Sequence, residues 1–469
     1  MTDMLTLRRL LPALLLPVAL TAQPTDAEIA RNADRYLTVR SEMGNYSGSV
    51  LIAKGDRVIF RKGYGFADIE KRIPFTPETQ HAIASISKMF TAMAALKLRD
   101  QGKLRLSDSV CRYYDECPEA WRPVTIDHLI HHTSGIPDYE SALELGSTKY
   151  IDYMRQPGSR TRILAEMRAK PLDFAPGEKF SYSNTGYILL AHAIGQAAGK
   201  PFAEYIRTGI LAPAGMRHTG ALGTTEPVPL AKGYTYRNLG WEKTLQGVGY
   251  ADGHMQQVPE LSIGPRSGDA WMYSTVDDLH RWSRSMDGSQ LIPASLAAEV
   301  FTPGKGGYGF GWFAGEGFKR KRYRHNGALP GYISDFIKFP DDSITIVIFS
   351  NIDRGRMSSI ARDLSAITLG EPWDMPVRGK VVTLTSEQLS RLTGEYLMAD
   401  GTPLTVSIDD MLVASLKDRY TAGLIPLSPT EFYMPLGDGR AIFTLDSNGK
   451  ATEVNMRYGG EDRIARRKL

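Results

Sequence analysis

The 469-residue chain is 42% hydrophobic and 23% charged, an ordinary globular composition with enough apolar residues for more than one core. Its formal charge of +4 is small for that length, so charge gives no reason to expect a nucleic-acid partner. The two cysteines have neither metal-ligand nor redox spacing, and nothing in the composition asks for a metal or an organic cofactor.

Residues 1–22 read as a signal peptide, because Arg8 and Arg9 precede the apolar run Leu10 to Leu20 and small residues follow at Thr21 and Ala22. The run falls well short of the roughly 20 apolar residues a membrane span needs. Leu20 and Thr21 do not make a clean cleavage site, which leaves an uncleaved anchor as the other reading. With no cysteine behind the run, a lipid anchor is not expected. The chain is therefore expected in the periplasm or secreted, an oxidising setting in which Cys111 and Cys117 could close a short loop. Such a ring is worth about 2 kcal/mol, and two unpaired thiols are the alternative.

The main globular segment is read as residues 23–370. It opens with "SGSVLIAKGDRVIFRKGYGFAD", two apolar strands joined at Gly55-Asp56. Helical periodicity dominates from Ile83 to about Leu211, broken by Gly and Pro. Strands return at "KRKRYRH", at "YISDFIKF" and, after a turn at Pro340-Asp341-Asp342, at "SITIVIFSN". An antiparallel sheet formed from both ends of the segment, with helices between, is an α+β fold. Residues 371–382 ("EPWDMPVRGKVV") read as a linker. From 383 to 469, short alternating runs such as "LTVSID", "MLVASL" and "AIFTLD" predict a small antiparallel barrel or sandwich. No internal repeat or low-complexity tract is present.

The chemistry is concentrated in "HAIASISKMFTAMAALKL", an apolar helix whose head carries Ser85 and Lys88. Positions i and i+3 share a helix face, so hydroxyl and amine can meet. Serine needs a base to become a nucleophile, and a lysine among Ile86, Met89 and Phe90 is partly removed from water and could be that base. A helix N-terminus also favours an oxyanion. The same spacing recurs at Ser447 and Lys450, but in the turn "DSNGK" with no helix behind it.

A second proton carrier is expected from "PGEKFSYSNTGYILLAHAIG", where Tyr182 and Asn184 stand in a turn before another apolar helix. Tyr236 and Asn238 repeat the spacing without a helix or strand signal around them. A third element should be a strand beside the nucleophile that offers a backbone N–H to the oxyanion. His325-Asn326-Gly327, which ends a strand, is preferred to His218-Thr219-Gly220, which follows a helix end.

With these three motifs placed, the chain from about Tyr46 to Leu369 resembles the serine β-lactamase and penicillin-binding superfamily, in its branch of class C β-lactamases, D,D-carboxypeptidases, D-aminopeptidases and esterases. "IASISKMFTAMAAL", "TIDHLIHHTSGIPDY", "FAPGEKFSYSNTGYILLAHAIGQAAGKPFAEYI", "GDAWMYSTVDDLHRWSRSM", "YGFGW" and "HNGALPGYISDFIKFPDDSITIVIFSN" carry the likeness. The tail resembles the small β-barrel domain that often follows this module. The resemblance implies that Ser85 is acylated, Lys88 is its base partner, Tyr182 shuttles protons, and Asn184 positions Lys88 and substrate. It also implies that His325, Asn326 and Gly327 form the third motif and that the N–H groups of Ser85 and Ala328 form the oxyanion hole. Many β-lactamases have Lys-Thr-Gly or Lys-Ser-Gly where this chain has His-Asn-Gly. Peptidase or esterase activity is expected in preference to β-lactam hydrolysis.

The tract Lys319 to Arg324 is open to two readings. Strand alternation places Lys319, Lys321, Tyr323 and His325 on one face, which could steer a substrate carboxylate; a charged edge strand that resists aggregation is the other. Two rival functions are weighed. His128, His131 and His132 in "HLIHH" have helical spacing for a metal hydrolase, but no HExxH or completing carboxylate accompanies them. A non-catalytic cell-wall or peptide-binding module on the same scaffold is the other rival. An α/β-hydrolase is disfavoured by the lack of any GxSxG elbow.

Overall fold

The computed structural model describes residues 23–143, 159–222, 229–236, 255–257, 268–287, 291–352, 357–409, 411–416, 420–434 and 438–468; the leader read at 1–22 and Asn238 lie outside them. The first element begins at Thr25. Its Oγ1 accepts from the Glu28 N–H at 3.3 Å, and the Glu28 carboxylate accepts from the Thr25 N–H at 2.9 Å. This reciprocal cap satisfies donors left open at a helix start and launches α1 (Asp26–Glu42).

The hairpin read at Gly55-Asp56 is formed by β1 (Gly48–Lys54) and β2 (Arg57–Tyr64). β1 also pairs antiparallel with Ile344–Ser350, Val50 opposite Ile348 and Leu51 opposite Val347. That pairing brings the two ends of the segment into one six-stranded antiparallel sheet, ordered Phe313–Gly317, Arg320–Leu329, Tyr332–Phe339, Ile344–Ser350, β1 and β2. Alternation then divides the core. Val50, Ile52, Ile346 and Ile348 pack on α1 and the Met357–Leu369 helix. Leu51, Ala53, Val347 and Phe349 pack on the other side, with the helices that carry the serine. On that inner face α2 (Ser87–Asp100) is buried on nearly every side, including its polar Ser87, Lys88 and Thr91. Among the described residues no helix is long and apolar enough to cross a membrane.

Several local expectations are corrected. Phe318 and Lys319 both have positive φ, 54° and 57°, and make the turn of a hairpin, so the strand begins at Arg320 and Lys319 has no place in its alternation. Lys321 lies opposite Glu316, Arg320 pairs with Asp342 at 2.7 Å, and Arg324 grips Asp335 through two nitrogens. Two cations of the tract, Arg320 and Arg324, are thus paired with carboxylates. His218-Thr219 leads into a short strand at Gly220–Ala221, where no strand was expected, and Thr219 Oγ1 binds Asp278 at 2.8 Å. Tyr236 ends another at Tyr234–Tyr236. Cys111 and Cys117 are joined in a disulfide.

The C-terminal strands form a nine-stranded antiparallel, nearly closed sheet whose two edges, Tyr420–Gly423 and Ile425–Pro426, are adjacent in sequence. It has its own core, including Tyr396, Val406, Phe432, Phe443 and Val454. It is tied to α1 and to the segment that follows the Met357–Leu369 helix. Arg40 of α1 is 1% exposed and donates to Tyr36 Oη at 2.8 Å and to the Asp438 carboxylate of the barrel. Tyr36 Oη in turn donates to Asp363 Oδ2 at 2.7 Å. Asp374 adds a second tie, accepting from Arg457 at 2.9 Å and from the Gly460 N–H at 2.7 Å.

Candidate active site

Ser85 lies in a single 3₁₀ turn, Ala84–Ile86, that runs into α2. Lys88, three residues on and already in α2, lies on the same face as Ser85. The residue before the serine, Ala84, is held at φ 49°, a conformation unfavourable for any residue with a Cβ. The surroundings enforce it. Gly327 of the Arg320–Leu329 strand lies so close that a Cβ there would sit 2.3 Å from Ile83 O and 2.9 Å from Ala84 Cβ. Ser334 Oγ donates to the same Ile83 carbonyl at 2.8 Å. Gly311, at φ 82°, permits an equally close approach on the α2 side, its missing Cβ falling 2.6 Å from Met89 Cα.

Lys88 is fully buried, and its Nζ donates to Ser85 Oγ at 3.3 Å, Asn184 Oδ1 at 2.7 Å and the Asp269 main-chain carbonyl at 2.7 Å. Every one of these acceptors is an uncharged oxygen. Asn184 is the first residue of the Asn184–Ala198 helix, capped by Ser183 Oγ on the Gly186 N–H at 3.1 Å. Tyr182 presents its ring 4.8 Å from Lys88 Nζ. Burial pushes the Tyr182 phenol up, and Lys88 and Ser85, both within reach of it, pull it part of the way back. It keeps its proton at neutral pH.

His325 is 1% exposed and belongs to the same wall, its ring centroid 6.3 Å from that of Tyr182. Its Nε2 bonds Tyr308 Oη at 3.0 Å and its Nδ1 bonds Asn326 O at 2.7 Å. Burial, assisted by the charge of Lys88, pushes it down to about 3, so the imidazole is neutral. Asn326 and Ala328 are exposed, and the Phe313–Gly317 strand pairs only as far as Arg324. The His325–Leu329 stretch is thus left with one edge clear of that neighbour, beside the serine turn.

The structure gives His132, weighed above only as a metal ligand, another place, and adds residues that the motifs did not single out. His132 stacks on Tyr182 at 4.2 Å, accepts from the Ser183 N–H at 3.0 Å, and is held neutral chiefly by burial. Its sequence neighbours have other tasks: His128 Nδ1 accepts from the Thr125 N–H at 3.2 Å, and His131 Nδ1 lies 3.1 Å from Asp127 O. The three rings of "HLIHH" do not converge, and the described residues contain no cluster suited to a metal. Asp138 Oδ1 accepts from the Asn184 N–H at 2.6 Å, and Tyr139 Oη donates to Asp269 Oδ2 at 3.0 Å. Glu140 is pushed up to about 7 by burial and by the Asp138 carboxylate. A cavity of about 400 Å³ opens beside Tyr182, lined by Ile136, Asp138, Lys170, Asp173 and Ser181.

A buried amine touching a serine at a helix start, with a protonated phenol over both, on this sheet-and-helix frame, defines a serine hydrolase. The Beta-lactamase family model matches residues 33–371, and the chain belongs to that family. It is 28% identical to penicillin-binding protein 4* of Bacillus subtilis over 91% of this chain and 96% of that protein. It is 29% identical to a D-aminopeptidase of Gluconobacter oxydans over 75% of this chain, a match that spans 62% of that protein's length. Among solved structures, the octameric penicillin-binding protein homologue from Pyrococcus abyssi aligns with a TM-score of 0.65 at 25% identity, covering 93% of this chain and 99% of that one.

Proposed function

We propose that the protein is an exported hydrolase of amide bonds to D-amino-acid residues, and of small esters, working through an acyl-enzyme on Ser85. The observation that carries this reading is the Lys88 amine, 3.3 Å from Ser85 Oγ and otherwise held only by neutral oxygens. Ser85 Oγ attacks the substrate carbonyl and its proton passes to Lys88. Tyr182 gives its phenolic proton to the departing amine or alcohol and recovers one from Lys88. Water then attacks the acyl ester, its proton returns through the same pair, and Ser85 is released. The N–H groups of Ser85 and Ala328 receive the oxyanion.

The third motif bears on substrate. A neutral His325, tied to Tyr308 and Asn326, offers no cation to the carboxylate of a β-lactam, and Arg320 and Arg324 are engaged by Asp342 and Asp335. The D-aminopeptidase similarity favours a D-residue amide. The apolar leader and the Cys111–Cys117 disulfide favour export. Purified protein assayed against D- and L-amino-acid p-nitroanilides, p-nitrophenyl esters and a chromogenic cephalosporin tests this. D-anilide and ester turnover that disappears in Ser85→Ala is expected. Turnover of the cephalosporin alone, or activity that survives the substitution, overturns it.

A further inference from the structure

Three carboxylates lie near Lys88, those of Asp138, Glu140 and Asp269, yet none is among the groups its ammonium touches. Asp269 poses the sharpest question. Its carbonyl accepts from Lys88 at 2.7 Å while its carboxylate, 0% exposed, is turned away; Oδ2 takes the Tyr139 hydroxyl and Oδ1 has no partner among the described residues. A buried carboxylate held by one hydroxyl would gain, if that hydroxyl were removed, by turning onto a cation. Asp138 is restrained in another way. Its two oxygens are filled by the backbone N–H groups of Asn184 at 2.6 Å and Glu140 at 3.1 Å, with Thr185 at 3.4 Å. Tyr139, between Asp138 and Glu140, is pinned at the backbone by Thr185 Oγ1 at 3.1 Å. One short segment thus anchors both the residue that supplies Asn184 Oδ1 and the residue that supplies the Asp269 carbonyl.

Resting on the reading of Ser85 and Lys88 given above, we propose that Tyr139 and Asp138 are positioning residues that hold the neighbouring carboxylates off Lys88, so that the amine meets only uncharged acceptors and can exchange its proton with Ser85. An ion pair at the same place would fix the ammonium form. Tyr139 contributes through its hydroxyl and Asp138 through the start of the Asn184–Ala198 helix. The other ionisable groups facing Lys88 are Tyr182, Tyr187, His132 and His325; both histidines are neutral and both phenols protonated.

The test is Tyr139→Phe, which keeps the ring and removes the donor. Two readouts are followed in the full-length protein: the titration of Lys88, by NMR of lysine labelled with ¹³C at Cε and assigned by its loss in Lys88→Arg, and the rate of Ser85 phosphonylation by a fluorophosphonate from pH 5.5 to 9. With Asp269 free to turn, the Lys88 midpoint and the acid limb of phosphonylation should both move up by about one pH unit, a roughly tenfold slowing on that limb. The double variant Tyr139→Phe/Asp269→Asn, whose side chain carries no charge, should recover both. Asp138→Ala should slow phosphonylation, with Asp138→Asn restoring part of it and KM for an ester changing little. A lower melting temperature with an unmoved titration, or a double variant as impaired as the single, overturns the inference. Absence of Ser85 labelling in the wild type, with the titration shift still present, would instead overturn the acyl-enzyme reading alone.

Discussion

Two buried cations, Lys88 and Arg40, sit on opposite faces of the six-stranded sheet, and their surroundings differ in kind. Arg40 on the outer face is matched by carboxylates, Asp438 directly and Asp363 at 3.9 Å and through Tyr36. Lys88 on the inner face meets a hydroxyl, a side-chain amide and a peptide carbonyl, with the carboxylates one step removed. The first arrangement suits a clamp. A guanidinium does not lose its proton in a protein, and paired anions only reinforce its charge, so the contact between barrel and α1 keeps one charge state. The second suits a proton carrier, because neutral acceptors hold the amine in place without committing it to one protonation state. The same sheet thus has a fastening on one side and, on the function proposed above, an acid–base group on the other, separated by the alternation of Val50 and Ile52 from Leu51 and Ala53.

That contrast can be broken from either side. Lys88→Arg imports the outer-face chemistry into the inner face and should lower phosphonylation of Ser85 by about 10³-fold, measured as the labelling rate at pH 8. Arg40→Met does the reverse, removing the cation that joins Tyr36 to Asp438, while Asp363 keeps Arg362 at 2.8 Å. It should cost about 3–5 kcal/mol of stability, read by denaturant unfolding, while ester kcat/KM stays at the wild-type value. Loss of activity in the folded Arg40→Met protein would mean that the two faces are coupled.

Smaller effects should appear with pH. His81, buried between Phe349 and Tyr332, is pushed down to about 4 by burial, and His325 to about 3. Both lie below the ordinary value near 6.5, so their neutral forms contribute stability that is complete above pH 6.5 and drains away as pH falls through 4 and 3. The fall in melting temperature between pH 7 and 4.5 should therefore be shallower in His81→Gln. Glu140 has the opposite sign. Raised to about 7, it favours the fold below pH 4.5, and that contribution is lost as pH rises through 7. Glu140→Gln should gain melting temperature relative to wild type between pH 5 and 8, by less than the histidine effect because the group is only half-buried.

What could be read in advance was whatever repeats at short spacing. Ser85 with Lys88, Tyr182 with Asn184, and His325 with Gly327 each carry a local rule, and the two hairpins and the barrel strands follow alternation, although the strand expected to end at His325-Asn326-Gly327 runs on to Leu329. Asp269 and Tyr308 escaped because their contributions depend on tertiary placement, and His132 was weighed only as a metal ligand; Asp269 works through a main-chain carbonyl, which any residue possesses. The α1 helix was not anticipated, although Thr25 and Glu28 carry the spacing of a capping box. Lys319 was misplaced because a strand pattern was extended into a turn in which two consecutive residues have positive φ. The Arg40–Asp438 pair spans 398 residues and has no sequence signature at all.

The most direct measurement is peptide mass spectrometry of the folded wild-type protein after treatment with a fluorophosphonate. A single phosphonyl adduct on the peptide containing Ser85 is predicted. An adduct on another serine, or a folded protein that never acquires one, would contradict the assignment of Ser85 as the nucleophile served by Lys88.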